Sequence, residues 1–356
     1  MEILNEDNEN LWEKFTRMQE NFSPQHSLGW KKSIEKEYKN CVPRYLLNKN
    51  ENGNIETIFP FFLIESKIFG NKLISLPFID FGGPIGKIDN KFLKEILNYI
   101  KKNEDISKVE IRLNDFMVDY KKIEKNLINN GFKKEFKKNQ FILQLRGEEE
   151  LWNDFNRITR KGIKKAKKSN LQLKEINNEE ELKSFYKLYF NNMKNFGTPQ
   201  HSYNFFNNLR GMKKEFKGLN CYKEDKLIGS LIILCTKHYS SAAYNVSDRK
   251  FLIYQPNDLI HWEMIRWCMK KGIKYFDFGQ CDASSKEGTH AYGIYKFKKK
   301  WGGKLYNRCY FYYEFDKKDK IESIKKERDL LTKIWGKLPS PLIKIMGPKI
   351  ASQLGI

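Results

Sequence analysis

Leu219-Asn-Cys-Tyr-Lys-Glu-Asp-Lys-Leu-Ile-Gly-Ser-Leu-Ile-Ile-Leu-Cys-Thr-Lys-His-Tyr-Ser-Ser-Ala-Ala-Tyr-Asn-Val246 reads as a three-strand meander, turning at Lys223-Glu-Asp-Lys and continuing through Leu227–Cys235 and Tyr239–Val246. A helical pattern over 257–271 comes next and feeds a short apolar strand, Lys274-Tyr-Phe-Asp-Phe-Gly. The same order stands earlier in the chain. Arg44-Tyr-Leu-Leu, the Glu51-Asn-Gly-Asn turn, Ile55–Ile64 and Lys72-Leu-Ile-Ser-Leu form a first meander. Helix 91–102 then feeds Lys108-Val-Glu-Ile-Arg. Two helices precede each meander, and a helix and a final strand close each half, at Leu145 and at Phe315. The halves share almost no residue identity, so the repeat rests on element order. The expected fold class is α/β, with an α+β mixed sheet in each of two tandem units. The expected boundaries are 1–147, 148–335 beginning with a basic helix over 150–168, and an apolar, basic tail over 336–356.

A chain of 356 residues, 40% hydrophobic and 14% aromatic, suits two globular domains and excludes extended disorder. No apolar run reaches the roughly 18–20 residues of a membrane span, so no transmembrane segment is expected. The start, Met1-Glu-Ile-Leu-Asn-Glu-Asp, lacks a cationic, apolar secretory leader. Cys41, Cys221, Cys235, Cys268, Cys281 and Cys309 show no CxxC pair, so reduced thiols, a cytoplasmic location and no metal are expected. The net charge of +22 fits an anionic partner. A lysine-rich composition with solvated faces accounts for it equally well.

Ser75-Leu-Pro-Phe-Ile-Asp-Phe-Gly-Gly-Pro-Ile-Gly86 breaks an apolar strand into a glycine-rich turn. There Gly82 and Gly83 are expected to supply positive φ or close backbone approach, either as a bare turn or as a cleft lining. In 150–168, Leu151, Phe155, Ile158, Ile163 and Ala166 fall near one helical face, while Arg157, Arg160, Lys161, Lys164, Lys165, Lys167 and Lys168 crowd the rest. Such density favours phosphate contact over a merely solvated face. The tail, through Leu342, Ile343, Ile345, Met346 and Ile350, is expected to pack on the body rather than lie at a membrane surface. Asp277, inside Tyr275-Phe-Asp-Phe-Gly-Gln, is either a structural acceptor or an acid/base group. Cys281-Asp-Ala-Ser-Ser-Lys-Glu-Gly-Thr-His is a polar, pocket-lining type of loop. It leads into Ala291-Tyr-Gly-Ile-Tyr-Lys-Phe-Lys-Lys-Lys-Trp-Gly-Gly. Lys296 and Lys298 on a short helix suit a phosphate, a carboxylate or a developing oxyanion, whereas Lys299 and Lys300 read as solvated. Among five dispersed histidines, His290 stands beside that segment. GxSxG, a P-loop, GxGxxG after a strand and HExxH are absent.

Leu151-Trp…Arg157-Ile-Thr-Arg-Lys-Gly-Ile-Lys-Lys-Ala-Lys-Lys resembles the basic helix of the FemAB-like proteins, which are tandem acetyltransferase-fold (GNAT-like) enzymes. Tyr275-Phe-Asp-Phe-Gly and Tyr295-Lys-Phe-Lys-Lys-Lys-Trp-Gly-Gly are similar to that family's YDFGG strand and FKxxFGG motif. Ser27-Leu-Gly-Trp30, Phe69-Gly-Asn-Lys-Leu-Ile-Ser-Leu-Pro-Phe, Asp80-Phe-Gly-Gly and Leu338-Pro-Ser-Pro-Leu resemble the subgroup associated with exopolysaccharide and protein sorting. The resemblance implies acyl transfer to an amine of a lipid-linked or nucleotide-linked cell-envelope precursor, such as that of peptidoglycan. Aminoacyl-tRNA or an acyl-CoA serves as co-substrate, and no bound cofactor is implied. Lys298 takes the place of the family's cleft lysine. Backbone amides near Tyr244–Asn245, or Lys298, would stabilise the oxyanion, and Asp277, His290 or a substrate phosphate could accept the proton. Tyr244, Asn245, Gln255, Tyr292, Lys296, Arg112 and Asp80 are the expected substrate contacts. Arg157, Arg160, Lys161, Lys164 and Lys165 are the expected contacts to tRNA or another phosphate-bearing partner. Two features depart from the pattern: Gln280 replaces the strand's second glycine, and Arg249-Lys-Phe-Leu-Ile-Tyr-Gln-Pro-Asn257 lacks the loop that cradles pyrophosphate in ordinary acetyltransferases. Acyl-CoA action on an exopolysaccharide or lipid-linked glycan, and a non-catalytic envelope-assembly role, remain as alternatives.

Overall fold

The computed structural model describes residues 1–19, 23–67, 69–79, 81–103, 105–315, 335 and 338–355. Two compact units emerge: residues 1–137, 197–201 and 307–356 in one, and residues 138–196 and 202–306 in the other.

In the first unit, α1 (Glu9–Met18) and α2 (Leu28–Glu37) precede β2 (Cys41–Lys49), β3 (Ile55–Ile64) and β4 (Lys72–Ile74), with β1 (Glu2–Ile3) at the sheet edge and β5 (Ile85–Gly86) against β3. α3 (Asn90–Asn103) then crosses over to β6 (Lys108–Asn114), which lies parallel to β4. α4 (Tyr120–Asn129) comes after it. β3 is buried at nearly every position, which explains its unbroken run Ile58-Phe-Pro-Phe-Phe-Leu-Ile. The final strand of this sheet comes from far along the chain: Arg308–Glu314 of β13 (Lys304–Glu314) runs antiparallel to β6.

The second unit repeats the order. α7 (Glu179–Asn195) and α8 (Tyr203–Arg210) precede β9 (Phe216–Lys223), β10 (Lys226–Cys235) and β11 (Tyr239–Ser247). α9 (Pro256–Lys270) crosses over to β12 (Tyr275–Cys281), parallel to β11. α10 (His290–Lys299) is next, and β8 (Leu171–Glu175) edges the sheet beyond β9. Asn139–Gln144 of β7 (Lys133–Gln144) runs antiparallel to β12. Each sheet is thus finished by the strand that closes the other half of the sequence. The mixed α/β class and the repeated element order are as the sequence reads.

The 150–168 segment is two helices rather than one: α5 (Glu148–Asp154) and α6 (Arg157–Lys168). Asn156 breaks it, being extended (φ −62°, ψ 163°) with its side chain capping Thr159 N–H at 2.9 Å. The rotation this introduces turns Ile158 outward, 69% exposed, and Thr159, Ile163 and Ala166 form the buried face instead. Among the described residues of the 75–86 turn, positive φ falls on Leu76 (51°), Phe78 (67°) and Gly86 (101°), and on neither Gly82 nor Gly83. Gly82 and Gly83 serve close approach: a Cβ would stand 2.5 Å from Leu76 and 2.1 Å from Leu113 respectively. α11 (Ser340–Leu354) buries Ile343, Gly347, Ile350 and Ala351 while leaving Leu342, Ile345 and Met346 exposed.

Candidate functional site

The site is built on a fork in the second unit's sheet. β11 pairs with β12 only over Tyr239–Ser241 against Tyr275–Asp277. Beyond that, Ala242–Ser247 and Phe278–Cys281 have no mutual register. On its other side β11 bulges: Ala242 pairs with Ile233 and Tyr244 with Ile232, which leaves Ala243 over. A bulge of this kind takes one backbone amide out of the ladder and re-aims it. β12 is irregular too, with a register shift against β7 between Asp277 and Gln280 and Gly279 at φ 73°.

Asp277 sets that irregularity. It is fully buried. One carboxylate oxygen accepts the Gly279 N–H at 2.7 Å; the other accepts the Tyr239 hydroxyl at 2.7 Å and the Gln140 amide. A buried carboxylate satisfied by three donors is a stable acceptor that bends its own strand. Its full burial and three donors fit the structural acceptor rather than an acid/base group.

α10 closes one side of the fork. Thr289 caps it, and the Lys298 ammonium donates to the Gln280 carbonyl at 2.8 Å, holding the helix end over the last residues of β12. Lys296 lies 5.5 Å from the Tyr292 ring and stays exposed. Lys300 departs from the solvated role expected of it. Its ammonium is ion-paired with Asp258 on the first turn of α9, where the carboxylate is buried and its pKa is raised by desolvation against the lowering pull of Lys300. Gly162 of α6 leaves room for this pair, since a Cβ there would meet the Asp258 carboxyl carbon at 3.0 Å. The Lys300 carbonyl accepts Asn156 Nδ2 at 2.9 Å and Thr159 Oγ1 at 2.6 Å. Trp301, wholly buried, packs against Phe155, Phe278 and Phe297. One lysine and one tryptophan therefore tie α6, α9 and α10 together.

His290 opens α10. Its ring stacks on Phe196 with centroids 5.1 Å apart, and the Arg249 guanidinium lies 5.5 Å from the same phenylalanine. Desolvation, then the Arg249 charge, lowers its pKa below the ordinary imidazole value, so the ring is neutral near pH 7. Tyr244 packs edge-on to Phe206 at 4.9 Å. Asn245 donates to the Ser230 carbonyl and to Asn257 Oδ1, both at 3.3 Å, linking β11 to the start of α9. Gln255 is left-handed (φ 59°) immediately before Pro256. In the turn after β12, Lys138 and Ser284 hold the Asp282 carboxyl down at about 2.

On α6, Arg157, Lys161, Lys164 and Lys165 are exposed, and among the described residues none has an acidic partner; Arg160 donates to the Asn153 carbonyl at 3.0 Å. In the first unit, Arg112 is buried and fully engaged by Glu110 at 2.8 Å and the carbonyls of Ile79 and Gly355 at 3.2 and 3.0 Å, so it holds the turn and C-terminus together rather than meeting substrate. Asp80 lies outside the described residues. Sequence reasoning missed Asp258, Gly162, Gln140 and Tyr239. Only Asn156 and Thr159, spaced as a helix cap and N3 residue, left a local signal.

Residues 153–299 match the acetyltransferase (GNAT) domain family model. The crystal structure of FemX superposes with a TM-score of 0.71 at 15% identity, over 93% of this chain and 100% of that one. The C-terminal domain of a putative lysylphosphatidylglycerol synthetase from Agrobacterium fabrum gives 0.58 at 10% identity, over 91% and 96%. A tandem GNAT protein from the clavulanic acid biosynthesis pathway gives 0.57 at 8% identity, over 88% and 97%. In sequence, 59 residues are 30% identical to the lipid II:glycine glycyltransferase of Staphylococcus haemolyticus (strain JCSC1435). That match spans 17% of this chain and 14% of the relative. In fold, the chain resembles FemX and tandem GNAT proteins, and its residues 153–299 match an acetyltransferase-type domain.

Proposed function

We propose that the protein is an acyltransferase that forms an amide, moving an aminoacyl group from tRNA to an amine of a lipid-linked or nucleotide-linked envelope precursor. The observation that carries this reading is the forked β11/β12 pair with its Ala243 bulge, closed by Lys298 and lying inside the GNAT-matched segment. The similarity to a lipid II:glycine glycyltransferase supports the acceptor class.

In this reaction the amine nitrogen attacks the ester carbonyl, the C–N bond forms, the ester C–O bond breaks, and the ribose hydroxyl leaves with a proton. The Lys298 ammonium and the amide freed by the bulge suit the developing oxyanion. With Asp277 buried, neutral His290 is the proton acceptor. Positioning of amine against ester supplies much of the rate.

The start of α9 supports a tRNA ester over a CoA thioester as donor. Arg249–Tyr254 is a 3-10 helix, and Pro256, which has no N–H, occupies the first helical position with Asp258 close behind. A pyrophosphate needs several free amides and no carboxylate there, so this end does not suit CoA. The bare cations of α6 suit the phosphates of tRNA. The acetyltransferase family model favours the alternative, an acyl-CoA-dependent N-acyltransferase acting on a glycan. Single-turnover transfer to a peptidoglycan-precursor amine, with aminoacyl-tRNA and acetyl-CoA compared as donors, decides. Transfer from the tRNA ester alone is expected. Transfer from the CoA thioester alone overturns the donor, and transfer from neither overturns the reading.

A further inference from the structure

We propose that the exposed face of α11 docks the protein on an anionic lipid bilayer. The helix is firmly held on the first unit through its opposite side. Ile343, Gly347, Ile350 and Ala351 are buried. Gln200 donates to the Ile343 carbonyl at 2.8 Å, Ser66 to Gln353 at 3.0 Å, and Lys72 to the Leu354 carbonyl at 2.7 Å. The outward face is therefore presented by a fixed element. It consists of Leu342, Ile345 and Met346, spaced i, i+3, i+4, and they are 47%, 65% and 41% exposed.

Lys344 and Lys349, both exposed, rim this apolar triad. No acidic residue occurs from Trp335 to the end of the chain. Three side chains fall well short of the roughly 800 Å² per partner that a stable protein interface buries. An apolar stripe rimmed by lysines is instead the pattern of a helix lying in a headgroup layer, where shallow insertion and charge add. The net charge of +22 acts in the same sense. The surface stands on α11 alone and does not depend on the acyl-transfer reading.

Co-sedimentation of the full chain with vesicles of phosphatidylcholine, alone and mixed with phosphatidylglycerol, tests it. The wild type is expected to sediment with the mixed vesicles and to stay in solution with the neutral ones. Ile345→Ser with Met346→Ser should weaken partitioning at least about tenfold. Lys344→Glu with Lys349→Glu should weaken it about fivefold or more per lysine. Because all four side chains point to solvent, the melting temperature should be unchanged. The proposal is overturned if the wild type ignores the mixed vesicles. It is overturned equally if the serine variant sediments like the wild type, which would place the binding on other cations. A change from dimer to monomer in the serine variant, read by light scattering, would make the patch a contact between copies instead.

Discussion

Lys298 and Lys300 stand two positions apart at the end of α10 and meet opposite surroundings. Lys298 reaches the Gln280 carbonyl at the fork, whereas Lys300 is ion-paired with buried Asp258. Lys298→Ala is expected to lower kcat/KM by about 100-fold, the cost of one oxyanion donor, while costing only about 1 kcal/mol of stability for the lost bond to the Gln280 carbonyl. Lys299→Ala, at an exposed neighbour, should leave kcat/KM within about twofold. Lys300→Ala leaves a buried carboxylate uncompensated and should cost about 3 kcal/mol of stability, while adding Asp258→Ala to it should restore part of that loss. Chemical denaturation of the four-member cycle checks this, and simple additivity of the two losses would contradict the pairing. Lys298 was legible because a motif surrounds it. Lys300 was not, since its partner is far away in sequence and nothing in a run of lysines says which one turns inward. For His290, lowered below the usual imidazole value, activity should hold near pH 7 and fall as pH drops through that lowered value, where the ring gains its proton. His290→Gln should lose at least about 100-fold in kcat and, with it, this acidic limb.

α6 carries its chemistry on one face and its packing on the other. Gly162 lies over the Asp258 carboxylate, so Gly162→Leu overpacks the α6–α9 contact and should cost about 1–3 kcal/mol, read from the denaturant midpoint. Reversing Lys161, Lys164 and Lys165 should leave stability nearly intact. The log–log salt slope of tRNA binding should flatten by about two to three, as phosphate contacts are lost. An unchanged slope would remove α6 from the tRNA surface. At this scale the sequence reads well wherever the information is local: both meanders, both crossover helices and both parallel strands emerge from apolar period and turn residues. The break at Asn156 escaped because Leu151 and Phe155 keep helical spacing up to it, so the pattern looks continuous while the cap rotates α6 relative to α5. The exchange of the closing strands escaped for a different reason. β7 and β13 each have the composition of a strand, and strand composition does not name its neighbour.

Three histidines buried in the neutral form make the fold of the whole chain sensitive to acid. His26 is fully enclosed, with Nε2 donating to the Gly83 carbonyl at 2.8 Å and Nδ1 accepting from the Ser23 hydroxyl at 2.8 Å, and desolvation lowers its pKa to about 4. His201 shares a 2.9 Å hydrogen bond with the Tyr38 hydroxyl, and burial takes it to about 3. His261 donates from Nδ1 to the Asn257 carbonyl at 2.8 Å, and it too falls to about 3, chiefly by desolvation. In the unfolded chain each titrates near 6.5. The unfolded state therefore binds up to three more protons than the folded one between about pH 6.5 and pH 4, so stability rises with pH across that window. It is complete above about 6.5 and drains away as pH falls towards the folded values. Three protons correspond to a slope of about 4 kcal/mol per pH unit near pH 5. From pH 7 to pH 5 the three together remove about 6 kcal/mol, so a fold at the lower end of the usual stability of about 5–15 kcal/mol should unfold near pH 5 without denaturant. Urea titrations at steps between about pH 7 and pH 5 measure the slope directly. His26→Gln keeps a donor towards Gly83 and should reduce the slope by about one proton. A wild-type slope below about 1 kcal/mol per pH unit would mean that at least two of these histidines take up protons without leaving the fold.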